Sequence, residues 1–277
     1  MPVDLTSAVA DALRQAAEQA IVPRFRALEQ SAVFEKSPGD WVTDADHEAE
    51  ELITRALTAL TPGTPIVGEE ASAADPTLLE EGGRHDAVWV LDPLDGTKSF
   101  IAGSPDFATM CALVREGEAV ASWIWQPMHG QLFTASRGGG AFAGGTRLSR
   151  PEPPPGLPPS WRGVLRTRYM PAALRDQALA GFESSGLVHE SVTAAGVVYP
   201  LAATGALSHA LYWRTLPWDH APGALLAQEA GLVVARLDGA PYRPWDGRFG
   251  LLTAVDGQVW DTVRGALPAD IDDSSIP

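Results

Sequence analysis

Residues 86–100 read DAVWVLDPLDGTKSF. Residues 87–91 form a short, unbroken apolar run with two valines and a tryptophan, the pattern of a strand covered on both faces. At its end stand Asp92-Pro93-Leu94-Asp95-Gly96-Thr97. Pro93 fixes its own φ and steers Asp92 away from helical backbone, so two carboxylates three residues apart sit on a stiff turn. Such a turn suits a hard divalent cation, which takes oxygen ligands in fixed geometry. The N–H groups of Gly96 and Thr97, at the start of a helix, would offer a phosphate a docking point. The plainer alternative is that Asp92 and Asp95 only shape a turn or cap that helix.

Bulk properties narrow the choice. A chain of 277 residues is long enough to bury a large core. Its formal net charge of -15 argues against nucleic acid as a partner, because no basic stripe exists to displace counterions. Cys111 is the only cysteine, so neither an internal disulfide nor a thiolate metal cluster can form, and its apolar surroundings make it a core residue. The acidic, amphipathic start lacks the basic stretch and following apolar run expected of a signal peptide, and no run reaches the length of a membrane span. These features predict no membrane partner and a cytoplasmic setting.

Outward from the central stretch, helix and strand patterns alternate, which predicts a layered α/β (α+β) sandwich. An amphipathic helix is expected over 3–31, broken at Pro23, then a strand end and turn over 33–40. Thr43 is placed to cap a helix over 44–60 whose first turns carry Asp44, Asp46 and Glu48. A strand over 65–68 delivers Glu69 and Glu70, and a loop is expected over 71–84. Strands follow over 108–115, 119–126 and 130–136, and then a tight Arg137-Gly138-Gly139-Gly140 turn, read as a hairpin rather than a phosphate loop. A stiff Pro-rich linker over 151–159 divides residues 1–150 from 151–277, so two coupled halves are expected. Beyond it the patterns predict strands over 162–167, from 191, and over 210–213, 232–237 and 249–254. Helices are expected over 171–184, 219–230 and 259–267, with a helix or loop over 196–206. Asp219 is read as the N-cap of its helix, Pro222 as part of its first turn and Gly231 as its stop.

The DPLDGT hexapeptide, Glu69-Glu70 before it and Trp218-Asp219 after it together resemble the inositol monophosphatase superfamily of magnesium-dependent, lithium-sensitive phosphatases, from about Lys36 to Gly231. The resemblance implies stacked helix and sheet layers, two or three magnesium ions, a small phosphate monoester as substrate and a homodimer. It implies that Glu69, Asp92 and the carbonyl of Leu94 hold one ion, and that Asp92 bridges to a second completed by Asp95 and Asp219. Glu69 and Thr97 would flank the attacking water, with Asp46 accepting a hydrogen bond from Thr97. Gly96, Thr97, Asp95, Asp219, Lys36, Lys98 and Tyr212 are the expected substrate contacts. Glu70 is read as lying behind Glu69 or facing solvent, and Trp218 as packing.

Lys36 and Lys98 are the only lysines, and both fall at these motifs. Asp-Gly-Thr-Lys looks more like histidinol-phosphate phosphatases or bisphosphate nucleotidases of the superfamily. Tyr212 stands where inositol-specific relatives usually place a glutamate. Inositol monophosphate is the first candidate substrate, histidinol phosphate the second and a 3'(2'),5'-bisphosphate nucleotide the third. A non-catalytic sensor of metal or phosphate is the alternative outside enzymology.

Overall fold

The computed structural model describes residues 4–27, 33–37, 40–153, 156, 161–191, 194–269 and 271. The N-terminal segment forms α1 (Leu5–Ala16), capped by the Asp4 carboxylate, which accepts from Thr6 N. A π turn (Ala17–Ile21) and a 3-10 turn (Val22–Arg24) extend it, so the coil ends around Pro23 and does not reach residue 27. β1 (Val33–Ser37) and β2 (Asp40–Thr43) pair antiparallel where a strand end and turn were expected. Thr43 caps α2 (Asp44–Leu60) in a capping box with Asp46.

β3 (Ile66–Gly68) leads into α3 (Glu69–Ala74) and α4 (Thr77–Gly82), two short helices where a loop was expected. Neither is long enough to show a helical period in sequence. α4 is held instead from far along the chain, by the Trp245 indole that donates to Leu79 O at 2.9 Å. Next come β4 (Ala87–Asp95), α5 (Thr97–Ile101), β5 (Ala108–Arg115), β6 (Glu118–Gln126), β7 (Gln131–Ser136), β8 (Gly140–Ala143) and β9 (Thr146–Arg147). β3 to β9 lie in chain order in one sheet, with β3 parallel to β4 and the other neighbours antiparallel. The glycine-rich turn joins β7 to β8 as expected. Its Gly138 and Gly140 N–H groups both donate to the Glu229 carboxylate at 2.8 Å, so an internal acid holds the loop.

The expected linker over 151–159 is described only at 151–153 and 156. β10 (Arg162–Arg166), α6 (Ala172–Ser184), β11 (Val188–His189), α7 (Ala195–Ala203) and β12 (His209–Tyr212) follow. α8 (Pro217–Glu229), β13 (Val233–Arg236), β14 (Leu251–Ala254) and α9 (Gly257–Gly265) complete the chain. The second sheet runs β11-β10-β12-β14-β13, parallel across its first three strands and antiparallel across the rest. The short strand falls at Val188–His189, ahead of the expected 191, and residues 192 and 193 lie outside the described ones. α8 begins two residues early, with Leu216 as its N-cap. Asp219 is therefore the third residue of the helix, not its cap, and Pro222 sits in the second turn. Pro217 explains the shift, since proline is pre-organised for the first helical position.

Three apolar clusters define the layers. Val88, Val90, Met110 and Ile124 of the first sheet meet α7 and α8, whose far side meets Val164, Ala210 and Leu251 of the second. Trp89, Leu91, Cys111 and Trp123, on the other face of the first sheet, pack on α1 and α2. Phe182 of α6 and Val259 and Val263 of α9 cover the outer face of the second sheet. The order is helix, sheet, helix, sheet, helix. α7 and α8 approach so closely that a Cβ at Gly223 would overlap the Tyr199 ring. Cys111 is fully buried, and burial pushes its thiol well up. Among the described residues, no helix is long and apolar enough to cross a membrane.

Candidate active site

The site forms where strands of the first sheet end. β3 and β4 are parallel neighbours with Gly68 opposite Leu91, so Glu69, just past β3, stands beside Asp92, which still pairs with Met110 because β4 runs on past the expected end at Leu91 to Asp95. The β4–β5 register shifts between Asp92 and Asp95. Pro93, with no N–H for the ladder, lies inside that irregularity, and its carbonyl accepts from Thr109 Oγ1 at 2.9 Å. Asp92 Oδ1 accepts from Leu94 N at 3.0 Å. α8 brings in Asp219, and one carboxylate oxygen each from Glu69, Asp92 and Asp219 lie within 4.8 Å of one another. Burial pushes the Asp92 carboxyl well up, and the charges of Glu69, Asp95 and Asp219 add to the effect. Three carboxylates so close repel one another until a proton or a cation intervenes. The all-oxygen donor set fits a hard divalent ion.

Asp95 does not join this group of three. Gly96 takes a left-handed conformation (φ 90°), and Asp95 Oδ2 accepts from Gly196 N at 2.6 Å, at the start of α7. Burial raises its carboxyl to about 7 against the lowering effect of the Gly196 and Ala195 N–H groups. It lines the same cavity as the cluster, and so does Leu94. The Leu94 carbonyl lies 3.1 Å from Thr97 Oγ1, which is also 3.1 Å from Asp46 Oδ1. The other Asp46 oxygen accepts from Thr43 N at 2.8 Å and Thr43 Oγ1 at 2.7 Å. Burial raises the Asp46 carboxyl to about 7. The sequence places Asp46 and Thr97 far apart, and the cap of α2 brings them together.

Glu70 is buried, not solvent-facing, and burial followed by the charge of Glu69 raises its carboxyl to about 7. Lys36 Nζ bridges the pair, 2.7 Å from Glu69 Oε1 and 2.9 Å from Glu70 Oε1. Burial alone would lower the Lys36 ammonium, but the two carboxylates hold it well above its ordinary value. Glu50, unremarked in the sequence, accepts from Glu70 N at 2.8 Å and Ala71 N at 2.7 Å and so holds the start of α3. A Cβ at Gly68 would lie 2.5 Å from the Glu50 carboxyl carbon, so this approach requires glycine.

These groups open on a cavity of about 430 Å³. Gly96, Thr97, Lys98 and Tyr212 line it with the acids, while Asp46 stands behind its wall. Tyr212 is buried, stacks on Tyr199 at 5.8 Å and meets His220 edge-on at 4.6 Å. Its hydroxyl has no hydrogen-bond partner among the described residues. Trp218 packs in the core and shows part of its surface to the cavity. Arg166, Arg168, Tyr169 and Arg214 also line it, and sequence reading missed all four. The parallel pairing of β10 with β12 sets Arg166 opposite Tyr212, a relation between residues 46 positions apart that the sequence does not display.

The family model described as "Inositol monophosphatase family" matches residues 3–266. The chain belongs to the inositol monophosphatase family. Its members are metal-dependent phosphoric monoester hydrolases, in keeping with the oxygen-only acid cluster. An inositol-1-monophosphatase from Mesorhizobium japonicum is 34% identical over 230 residues, covering 78% of this chain and 79% of the relative. Inositol-1-monophosphatase ImpA from Mycolicibacterium smegmatis is 33% identical over 252 residues, covering 87% and 86%. The crystal structure of extragenic suppressor protein suhB from Bartonella henselae superposes with a TM-score of 0.81 at 24% identity, covering 96% and 99%. That likeness concerns the fold, and it matches the five alternating layers of this inositol monophosphatase family member.

Proposed function

We propose that this protein hydrolyses small phosphorylated alcohols with magnesium, and that inositol monophosphate, named for its relatives, is the reference substrate. The observation that carries the reading is the meeting of Glu69, Asp92 and Asp219 within 4.8 Å, beside a threonine hydroxyl held by a buried aspartate. Glu69, Asp92 and Asp219 would hold the ions, with Asp95 and the Leu94 carbonyl as further oxygen ligands. When bound, the ions supply positive charge for the phosphoryl and leaving oxygens and acidify water. With its proton donated to Asp46, Thr97 Oγ1 offers its lone pairs to a water hydrogen, which orients that water toward phosphorus. The N–H groups of Gly96 and Thr97 face the phosphoryl oxygens. Residues 1–150 would carry most of the ligands and residues 151–277 would add Asp219. A cytoplasmic setting, expected from the sequence, and lithium sensitivity and a homodimer, expected from family resemblance alone, complete the reading.

The sensor alternative loses ground because Thr97 and Asp46 keep their hydrogen bond. Phosphate release from inositol 1-phosphate, measured with magnesium and with chelator, tests the proposal. Magnesium-dependent release supports it. No release from inositol phosphate, histidinol phosphate, an adenosine bisphosphate or fructose bisphosphate overturns it in favour of the sensor.

A further inference from the structure

Glu69 follows β3, and Asp92 and Asp95 belong to β4, whereas Asp219 comes from α8 in the next layer. The acid cluster therefore depends on how α8 is registered against the first sheet. α7 is tied to that sheet at its first turn. Gly196 N donates to Asp95 Oδ2 at 2.6 Å, and the Gly196 carbonyl accepts from the buried Gln126 amide of β6 at 2.9 Å. One turn on, the Tyr199 hydroxyl lies 3.0 Å from His220 Nδ1. The other ring nitrogen, Nε2, lies 3.2 Å from the carbonyl of Arg214, two residues before the cap of α8. These contacts settle the tautomer. A carbonyl only accepts, so Nε2 carries the proton. Burial keeps the ring neutral, so Nδ1 accepts and the Tyr199 hydroxyl donates.

Both ring nitrogens thus find partners, one on α7 and one in the loop that leads into α8. A leucine would fill similar space and make neither tie. The packing of Tyr199 on Gly223 sets how far apart α7 and α8 stand. A directional hydrogen bond adds what packing leaves free, the slide and rotation of one helix against the other. We propose that His220 is a positioning residue for Asp219: it locks α8 to α7, and through α7 to Asp95 and the first sheet, so that Asp219 stays within reach of Glu69 and Asp92. The inference rests on the phosphatase reading above and adds a supporting residue to its cation ligands.

The test sets magnesium affinity, from calorimetric titration of the full chain, beside stability from urea unfolding. In His220→Leu the affinity should fall about tenfold. Tyr199→Phe, which keeps the ring packed on Gly223, should lose a similar factor. Asparagine places its carbonyl oxygen near the position of Nδ1, so His220→Asn should recover most of the affinity. Glutamine reaches toward the Arg214 carbonyl instead, so His220→Gln should recover little. A histidine that only fills the core would lower stability in these variants and leave the affinity of the folded protein alone. Unchanged affinity in either His220→Leu or Tyr199→Phe therefore overturns the inference, as does a His220→Asn variant that recovers no more than His220→Gln. If His220→Leu fails to fold, Tyr199→Phe decides. Unmoved affinities together with magnesium-dependent turnover by the wild type leave the phosphatase reading standing. A wild type that binds no magnesium overturns this inference, and absence of turnover on every ester overturns the phosphatase reading as well.

Discussion

Thr97 Oγ1 lies 3.1 Å from Asp46 Oδ1, although 51 positions separate the two residues in sequence. Asp46 is both a capping-box partner of Thr43 and the acceptor for this hydroxyl, so the cap of α2 positions a group in the cavity. Thr97→Ala should lower kcat by about 10²-fold or more while leaving magnesium affinity within a few-fold, because in the proposed function Thr97 would orient water and the carboxylates would hold the ion. Thr97→Ser should recover most of the rate. Steady-state kinetics with calorimetric magnesium titration checks this. Parallel losses of rate and metal affinity would place Thr97 among the ligands instead.

Gly68 and Glu50 give a second prediction. The Glu50 carboxylate reaches the N–H groups of Glu70 and Ala71 because Gly68 has no side chain to obstruct it. Gly68→Ala should push Glu50 away, leave buried donors unpaired and move Glu69, the first residue of α3. The expected cost is about 1–3 kcal/mol of stability, with weaker magnesium binding. Urea unfolding and magnesium titration of the variant measure both. Unchanged metal affinity would show that α3 holds Glu69 without Glu50.

Much of the acid site was readable because its members follow strand ends or sit in compact motifs. Asp92-Pro93-Leu94-Asp95 announces a break in regular pairing by chemistry alone, although it lies inside β4 and is not a turn beyond it, and Glu69-Glu70 follows a short apolar strand. Asp46 owed its place to the family resemblance. What stayed hidden depends on neighbours distant in sequence. Arg166 reaches the cavity through the pairing of β10 with β12, Glu50 matters through the backbone of α3, and α4 is fixed by Trp245. Asp219 was misplaced as a cap because both Asp219 and Pro217 carry helix-start signals, and the proline won.

Magnesium should stabilise the protein more as pH rises. In the metal-free protein Asp46, Glu70 and Asp95 have carboxyls raised to about 7, chiefly by burial, and Asp92 is raised well above its ordinary value. Groups raised in the fold favour it while protonated, and that contribution is lost as pH climbs from the unfolded values near 4 through about 7. A cation needs the deprotonated ligands, so it opposes the loss where the loss is largest. The rise in melting temperature on adding magnesium should be small near pH 5.5 and about 5 °C near pH 8. Thermal unfolding at both pH values checks this, and an equal rise at each would place the ion away from these acids.

His209, in β12 and not among the residues lining the cavity, predicts a separate acid sensitivity. It is fully buried, with Nδ1 2.9 Å from Ser208 Oγ and no partner for Nε2 among the described residues. A Cβ at Gly163 would overlap its ring. Burial, then the charge of His189, lowers its pKa to about 4. The unfolded imidazole titrates near 6.5 and binds a proton that the folded one refuses. Its contribution is therefore complete above about pH 6.5 and falls away toward pH 4, by on the order of 3 kcal/mol. His209→Asn should be less stable at neutral pH yet lose less on acidification, because the raised carboxyls act alike in both proteins and cancel in the comparison. Urea unfolding near pH 7 and near pH 4.5 gives the difference, and parallel slopes would show that folding leaves the His209 imidazole unshifted.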